Sequence, residues 1–371
     1  MKSKCERPRV RTLHRNMIKI KYIIVMALIA AVVLSTACIA PKQEKTEVKV
    51  IYAGSLIIPF EEMEEAFESA HPDVDVLLEG HGSIQAIRHI TEIHEEYDVL
   101  AVADDSLVPD MMYPEYADWY VRFATNQMVI AYTNKSAYAD EINESNWYNI
   151  LARPEVTFGF SNPMFDACGY RTLMVVPLAE LYYENATIFD ELIGRNFDPA
   201  IPMIKENGVY TVVAPEVFEP HGDKIAVRGG SVQLLALLEY GGIDYAFEYK
   251  SVAQQHDLRY VELPSEIDLR SPDYSETYNK AKVTLGFQRF TSVGVERIGR
   301  PIFYGITVPK NAPNPELGQE FVNFVLSEEG QSVLLRANQP RIPPEADNVN
   351  ALPEDLRTVV TQEIKERPGE E

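Results

Sequence analysis

Four short segments stand where a predicted strand or loop gives way to a predicted helix, and each places small polar residues at that junction. They are Gly54-Ser55, Gly82-Ser83, residues 166–169 (DACG) and Gly230-Ser231. The first turn of a helix exposes unpaired N–H groups and a partial positive charge, which makes it an anion site by geometry. Serine adds a hydroxyl donor, and glycine lets the backbone approach a ligand closely.

One Gly-Ser pair before a helix is usually a helix cap and nothing more, because serine is favoured at that position. Four such junctions in one chain favour a second interpretation. They predict an anion site that is assembled from backbone and hydroxyl donors, without any basic side chain.

The chain is strongly acidic, with 34 Lys and Arg against 56 Asp and Glu in 371 residues and a formal net charge of −22. Without the leader described below, 26 basic and 55 acidic residues leave −29. This balance argues against nucleic acid as a partner, since proteins that bind it present basic patches. An anion can still be captured, because solvent screens exposed charges beyond ~8 Å at physiological salt and local donors then dominate.

Residues 1–37 are predicted to be a signal peptide. Eight basic residues precede the apolar, uncharged run 22–37, a pattern typical of secretion rather than of a membrane-spanning helix. Met17 is an alternative start of the chain. The protein is therefore expected outside the cytoplasm.

The leader ends in residues 35–38 (STAC), which resemble a lipobox. Cys38 is therefore expected to be lipidated and to anchor the protein to the cell membrane, with residues 38–47 as a polar tether. Cleavage by an ordinary signal peptidase is the alternative. Of the other cysteines, Cys5 lies in the leader, so Cys168 alone stays free and no internal disulfide is expected.

Strand-like and helix-like patterns alternate along the rest of the chain. A β-rich run at 48–53 is followed by a helix with Ile57, Phe60, Met63 and Phe67 on one face, and a run at 74–79 by a helix with Ile84, Ile87 and Ile90 on one face. This alternation predicts an α/β fold with parallel strands. Further extended runs are predicted at 98–103, 123–133, 156–160, 225–228, 243–249 and 302–309, before two C-terminal helices.

The long runs at 123–133 and 302–309 predict that the chain passes into a second lobe and returns. We expect a two-lobed clamp with two hinge-crossing strands. Lobe I would comprise 48–128 and 304–371, and lobe II would comprise 129–303. Ligands of open α/β sheets bind at the carboxyl ends of strands, which both lobes would offer to one cleft.

Five pieces of the chain resemble the archaeal-type tungstate/molybdate-binding protein family, the WtpA type, over nearly the whole length from residue 48 to the C-terminal helices. They are AGSL (53–56), EGHGS (79–83), GFSNP (159–163), CGYR (168–171) and DYAFEYKSVA (244–253). The resemblance implies a type II periplasmic-binding-protein fold and no enzymatic activity or cofactor. It also implies an ABC importer with permease and ATPase subunits as partners, and a monomeric receptor.

The resemblance also assigns roles to residues. Gly54, Ser55 and Ser83 would bind oxyanion oxygens from one lobe. Asp166 would approach from the other lobe and could ligate tungsten or molybdenum directly, as one of two carboxylates. The remaining binding residues implied are the backbone of Ala167 and Cys168, the phenol of Tyr249, and Ser231.

Two positions depart from the family pattern. Ser231 stands where the family usually has Glu, and Ala167 where it usually has Pro. Either the oxyanion stays closer to tetrahedral and is held mainly by hydrogen bonds, or Glu248 replaces the missing carboxylate. The first alternative is favoured, because Glu248 and Tyr249 are neighbours on a predicted strand and should point to opposite faces.

Other ligands and classes remain open at this stage. A sulfate or phosphate receptor would have the same fold, although an ionised Asp166 in the site disfavours sulfate. A secreted hydrolase using Ser55 or Ser83 would need an acid–base partner, and the GxSxG motif is absent. The seven histidines show no metal-ligand spacing along the sequence and are expected at the surface.

Overall fold

The computed structural model describes residue 26 and residues 45–286 and 296–364. Apart from residue 26, the predicted signal peptide, Cys38 and the tether up to residue 44 lie outside the described residues. The chain divides into two compact units, 1–46 and 47–371, and the fold discussed below belongs to the second. Within the described ranges, no helix is both long enough and apolar enough to cross a membrane.

Sixteen strands are present in the described ranges. In chain order they are β1 (Thr46–Ala53), β2 (Val74–His81), β3 (Val99–Val102), β4 (Val121–Thr125), β5 (Met128–Tyr132), β6 (Phe158–Ser161), β7 (Met203–Glu206), β8 (Val209–Ala214), β9 (Ile225–Arg228), β10 (Tyr245–Tyr249), β11 (Arg259–Glu262), β12 (Ala281–Leu285), β13 (Glu296–Ile298), β14 (Phe303–Thr307), β15 (Arg341–Ala346) and β16 (Gln362–Glu363).

The α-helices of the described ranges are α1 (Ile57–Ala70), α2 (Ser83–Thr91), α3 (Leu107–Met112), α4 (Trp147–Ala152), α5 (Ala167–Tyr182), α6 (Ile188–Leu192), α7 (Gln233–Tyr240), α8 (Lys250–Gln255), α9 (Ser275–Tyr278), α10 (Pro315–Leu326), α11 (Glu328–Arg336) and α12 (Glu354–Arg357). A 3-10 turn, Gly54–Leu56, leads from β1 into α1.

The strands form two principal sheets and a smaller third one. The first has seven strands in the order β16-β15-β4-β14-β3-β1-β2, with β1 parallel to β3 and with β14 antiparallel to both β3 and β4. The second has the order β11-β5-β10-β6-β9, with β6 parallel to its neighbours β9 and β10. The α/β prediction is therefore confirmed, with antiparallel strands added to the expected parallel ones.

The chain passes from the first sheet to the second within two residues. The predicted extended run at 123–133 is divided by Asn126 and Gln127, with β4 before them in the seven-stranded sheet and β5 after them in the five-stranded sheet. Both residues are buried. The predicted return run lies in β14, which rejoins the seven-stranded sheet.

The third sheet, in the order β13-β12-β8-β7, was not predicted. Its pattern of burial explains why. Three of the four residues of β7 are exposed and most of β8 is only half-buried, so neither strand carries the strong apolar signal of a core strand.

Helix α5 is the central helix of the fold. Fourteen of its sixteen residues are buried, as is expected of a helix that is apolar on all sides and packs within the core. It begins at Ala167 directly after Asp166, and it carries two buried charged side chains, Arg171 and Glu180. The helix therefore brings a charged residue into the interior close to its own N-terminus.

The predicted helix faces are also confirmed. Ile84, Ile87 and Ile90 are fully buried on α2, and Phe60, Met63 and Phe67 are fully buried on α1, whereas Ile57 is half-buried. Helices begin at or within two residues of all four predicted junctions. Strand limits differ from the predictions by up to two residues; β1, for example, starts at Thr46 instead of residue 48.

Candidate functional site

A cavity of about 280 Å³ lies where the four helix starts meet. Five of the eight residues predicted for the oxyanion site line it: Gly54, Ser55, Asp166, Ser231 and Tyr249. The cavity is also lined by Gly82 and Gly230, which belong to two of the predicted junctions. The lining residues that were not predicted are Ala53, Gly80, His81, Gln85, Val232 and Gln233.

The start of α2 lies against the loop before α5 at very short range. A Cβ atom added to Gly82 would stand 2.4 Å from the carbonyl oxygen of Phe165 and 2.9 Å from Cβ of Asp166. The amide of Gln85 donates a hydrogen bond to the same carbonyl over 3.1 Å. Only glycine permits this approach, which closes one wall of the cavity.

Ser55 belongs to a buried chain of hydrogen bonds. Its hydroxyl lies 2.8 Å from the phenol oxygen of Tyr304 on β14, which accepts a hydrogen bond from Nδ2 of Asn126 over 3.0 Å. Because Tyr304 accepts from Asn126, its own hydrogen is available for Ser55. In that arrangement the hydroxyl hydrogen of Ser55 is free to point into the cavity.

Asn126 links this chain to the crossing between the two principal sheets. Its Oδ1 accepts the amide of Gln127 over 3.0 Å, which fixes the orientation of the side-chain amide. Its Nδ2 donates to the hydroxyl of Ser251 in α8 over 2.8 Å, in addition to Tyr304. The donor Ser55 is therefore connected to the residue at which the chain passes from one sheet to the other.

The Tyr249 phenol is oriented by a buried arginine. Nη1 of Arg171 donates to the phenol oxygen over 2.6 Å and to the carbonyl oxygen of Ala103 over 2.7 Å. Burial of the Tyr249 ring raises its pKa well above the ordinary value, so the phenol keeps its proton. Because the oxygen already accepts from Arg171, the hydroxyl hydrogen is left for a ligand in the cavity.

Arg171 also lies close to Asp104, with Nη2 and Oδ2 separated by 3.5 Å. Burial alone would lower the pKa of the guanidinium, but Tyr249 and Asp104 favour its charged form and the net shift is upward. Burial opposes ionisation of Asp104, yet Arg171 and Arg300 lower the pKa of this carboxyl. The positive charge of Arg171, paired with Asp104, therefore lies behind the Tyr249 phenol and does not line the cavity.

Asp166 is the carboxylate that faces the cavity. It stands at the N-cap position of α5 without a side-chain capping bond, and its Oδ2 accepts the amide of Ser231 over 3.0 Å. Burial raises the pKa of this carboxyl, while the bond from the Ser231 amide favours the charged form. A hydrogen-bonded carboxylate at this place has oxygen lone pairs available for a cation or for a metal centre.

Ser231 stands between the cavity and Glu248. Its hydroxyl donates to Oε1 of Glu248 over 2.9 Å, and the amide of Tyr249 donates to the same oxygen over 2.8 Å. The side chain of Glu248 is completely buried, and its Oε2 has no hydrogen-bond partner within the described part of the chain. Burial raises the pKa of Glu248 to about 8, so the carboxyl is largely neutral at pH 7.

The structure adds a contact to the predicted separation of Glu248 and Tyr249. The two side chains do leave the strand in different directions, Tyr249 towards Arg171 and Glu248 towards Ser231. Glu248 does not line the cavity, but the loop before α7 brings Ser231 over it. A second carboxyl therefore lies one hydrogen bond behind the cavity wall, which the alternation along a strand did not indicate.

Three predicted residues lie behind the cavity instead of lining it. Ser83 is completely buried at the start of α2, and its hydroxyl oxygen accepts the amide of Ala103 over 3.0 Å. Ala167 and Cys168 are buried in the first turn of α5. Burial raises the pKa of the Cys168 thiol well above its usual value, so the side chain is not a nucleophile.

Two of the histidines that were expected at the surface are only partly exposed and contact each other. The rings of His81 and His89 lie 4.5 Å apart, tilted by 30°, and both side chains are largely buried. The two residues belong to different elements, β2 and α2. Spacing along one element could not reveal a contact between two elements.

Comparisons with known proteins agree with this architecture. A family model described as bacterial extracellular solute-binding protein matches residues 48–337. An uncharacterised solute-binding protein of Methanoculleus marisnigri is 45% identical over 85% of this chain and 87% of its own length. The molybdate/tungstate-binding protein WtpA of Thermococcus kodakarensis is 40% identical over 93% of this chain and 97% of its own length.

Among solved structures, the substrate-binding protein of an ABC transporter from Agrobacterium tumefaciens superposes with a TM-score of 0.51. It covers 81% of this chain and 80% of its own, at 15% identity, and so supports the two-lobed fold alone. The family match and the identity with WtpA extend over nearly the whole compact unit. The chain therefore belongs to the extracellular solute-binding proteins, in the family that includes the molybdate/tungstate-binding protein WtpA.

Proposed function

We propose that this protein is the extracytoplasmic receptor of an ABC importer and that it captures tungstate or molybdate. The observation that carries the proposal is the convergence of four helix starts on one small cavity lined by Ser55, Tyr249 and Asp166. The hydroxyls of Ser55 and Tyr249 are oriented from behind by Tyr304 and Arg171. The cavity is smaller than the ~300–1,000 Å³ of sites for drug-sized molecules, as suits an inorganic oxyanion.

The donor set fits a dianion with an oxygen-seeking centre. Backbone N–H groups at helix starts and two oriented hydroxyls supply hydrogen bonds to oxo groups. Asp166 would ligate the metal centre directly, since hard metal centres take carboxylate oxygen. Ser231 supplies no charged ligand, so we propose that hydrogen bonds hold most of the oxyanion, with Asp166 as the one carboxylate in its immediate surroundings.

Sulfate and phosphate are the alternative ligands for the same fold. Asp166 argues against sulfate, because an ionised carboxylate that cannot coordinate the central atom repels a dianion that has no proton to donate. The hydrolase alternative lacks support: among the described residues, neither Ser55 nor Ser83 forms a hydrogen bond with a histidine. We therefore propose a receptor without catalytic residues and without a resident cofactor.

We also propose two lobes, a lipid anchor and transporter partners for this receptor. Lobe I would comprise 48–128 with 304–371 and lobe II 129–303, with the hinge at Asn126-Gln127 where the sheets change. Residues 1–37 would be removed and Cys38 lipidated, which would hold a monomeric receptor at the cell membrane near its permease and ATPase partners. Mass spectrometry of the protein purified from membranes tests the lipid, since an unmodified N-terminus would contradict it.

Calorimetric titration of the chain from residue 39 onwards tests the ligand. We expect tight one-to-one binding of tungstate and molybdate and no heat from sulfate or phosphate. Binding of sulfate or phosphate in place of tungstate would contradict the role of Asp166. Absence of binding by all four oxyanions would contradict the proposal as a whole.

A further inference from the structure

Two histidines and two glutamates cluster beside the oxyanion cavity. Glu79 and His81 lie two residues apart at the end of β2, so their side chains leave the strand on the same side. Helix α2 brings His89 onto the ring of His81. Glu79, His81 and His89 each offer one ligand atom within 4.8 Å of the others.

We propose that Glu79, His81 and His89 bind a divalent transition-metal ion such as Zn²⁺ at the rim of the cavity. Imidazole nitrogen and carboxylate oxygen are the donors that zinc takes at ~2.0–2.2 Å, and three protein ligands with one open position form a common zinc site. Tetrahedral ligands at that range stand ~3.3 Å apart. Nε2 of His81 and Oε1 of Glu79 lie 2.7 Å apart and must separate slightly, and no pair must close in by more than about 1.5 Å. Side-chain rotation at a partly exposed site can supply that movement.

A second carboxylate, that of Glu95, and a tyrosine complete the surroundings. Nδ1 of His89 lies 2.6 Å from Oε2 of Glu95, as in sites where a carboxylate orients a ligating imidazole. The Tyr97 hydroxyl donates to Oε2 of Glu79 over 2.7 Å and to Oε2 of Glu95 over 3.0 Å. In Glu79 the other oxygen, Oε1, lies 2.7 Å from Nε2 of His81. In Glu95 the same oxygen, Oε2, contacts both Tyr97 and His89.

The overall charge of the chain also favours metal binding, because its strongly negative net charge draws in cations.

The position of His81 couples this site to the cavity, a step that rests on the proposed function. His81 lines the cavity, whereas Glu79, His89 and Glu95 do not. A dication bound to His81 places positive charge beside a bound oxyanion in a region where burial weakens screening. Metal and oxyanion are then expected to strengthen each other's binding by the same factor.

The test begins with ZnCl₂ alone, titrated into the metal-free, oxyanion-free chain from residue 39 onwards. We expect one zinc per chain, with affinity reduced at least tenfold in His81→Ala and in His89→Ala and unchanged in His256→Ala, an exposed histidine in a different region of the fold. Circular dichroism checks that each variant is folded. Zinc affinity that is equal in all four proteins, or no zinc binding, would overturn the proposal.

A tungstate titration with and without saturating zinc then tests the coupling. We expect zinc to tighten tungstate binding by about 5- to 150-fold, the usual range for coupled sites, and to have no effect in the His81→Ala/His89→Ala double variant. Zinc binding without any change in tungstate affinity would overturn the coupling and leave the metal site standing. If the metal-free protein failed to bind tungstate, that result would contradict the proposed function but not the metal site, because the zinc titration is done without tungstate.

Discussion

Arg171 and Tyr249 are joined by a 2.6 Å hydrogen bond in which the guanidinium donates and the phenol oxygen accepts. The bond gives the phenol a single remaining role, that of a donor into the cavity. It also places a full positive charge behind a neutral donor, so under the proposed function oriented dipoles would hold the oxyanion while the cation stays paired with Asp104. This relationship explains how a chain of net charge −22 can present a site for a dianion.

Removal of the phenol should weaken oxyanion binding and leave the fold intact. In Tyr249→Phe one hydrogen bond to a charged ligand is lost, a change worth about 1.5–3 kcal/mol, so tungstate affinity should fall roughly ten- to hundredfold in calorimetry. Tyr260→Phe on β11 is the matched control, because Tyr260 lies outside the cavity. Equal affinities in the two variants would show that the phenol does not touch the ligand.

Closure of the cavity should depend on the absence of a side chain at residue 82. In Gly82→Ala the added Cβ would lie 2.4 Å from the carbonyl oxygen of Phe165, so the start of α2 must withdraw from the loop before α5. We expect at least a tenfold loss of tungstate affinity by calorimetry. In the control Gly229→Ala the nearest atom to the new Cβ is 3.7 Å away, and affinity should be preserved. Wild-type affinity in Gly82→Ala would mean that the close approach is not needed for binding.

Glu248 should make the free energy of unfolding decrease as the pH rises. Burial raises the pKa of Glu248 from its ordinary 4.5 to about 8, so between these values the folded chain keeps a proton that the unfolded chain has released. The free energy of unfolding should therefore decrease by at most roughly 1.4 kcal/mol per pH unit across that window, and no further above pH 8.

The variant Glu248→Gln isolates this contribution. It keeps an acceptor for Ser231 but cannot ionise, so urea unfolding at pH 5, 7 and 9 should show a shallower decline than in the wild type. The control is Glu316→Gln, which removes a carboxylate from the exposed start of α10. Parallel pH profiles of the wild type and Glu248→Gln would contradict a neutral Glu248 in the folded state.

Features of the fold and the site could be predicted from the sequence where the residues involved are close together along the chain. The helix starts and the buried faces of α1 and α2 are local patterns, and they were found. Tyr304 contacts Ser55 across 249 positions, and no local pattern indicated it. Glu248 meets Ser231 because a loop folds over β10, and His81 meets His89 because a helix turns back on a strand. Such contacts are set by tertiary packing, and the pattern within one element does not contain them.

Replacing Asp166 distinguishes a carboxylate that ligates the metal centre from one that only lies beside the bound oxyanion. Asp166→Asn keeps the size of the side chain and an acceptor for the Ser231 amide but removes the charge. If Asp166 ligates tungsten or molybdenum, calorimetry should show tungstate affinity reduced at least tenfold, and X-ray absorption at the tungsten edge should show fewer oxygen neighbours. If the site instead held sulfate, loss of the charge would relieve repulsion and Asp166→Asn would bind sulfate more tightly than the wild type.

The control for this variant must remove a carboxylate without disturbing the fold. Asp244→Asn is unsuitable because the Asp244 carboxylate accepts bonds from Thr157 and Ala137 that hold the sheet. Asp273→Asn, in an exposed turn, leaves both the cavity and the sheets untouched and should match the wild type for every oxyanion.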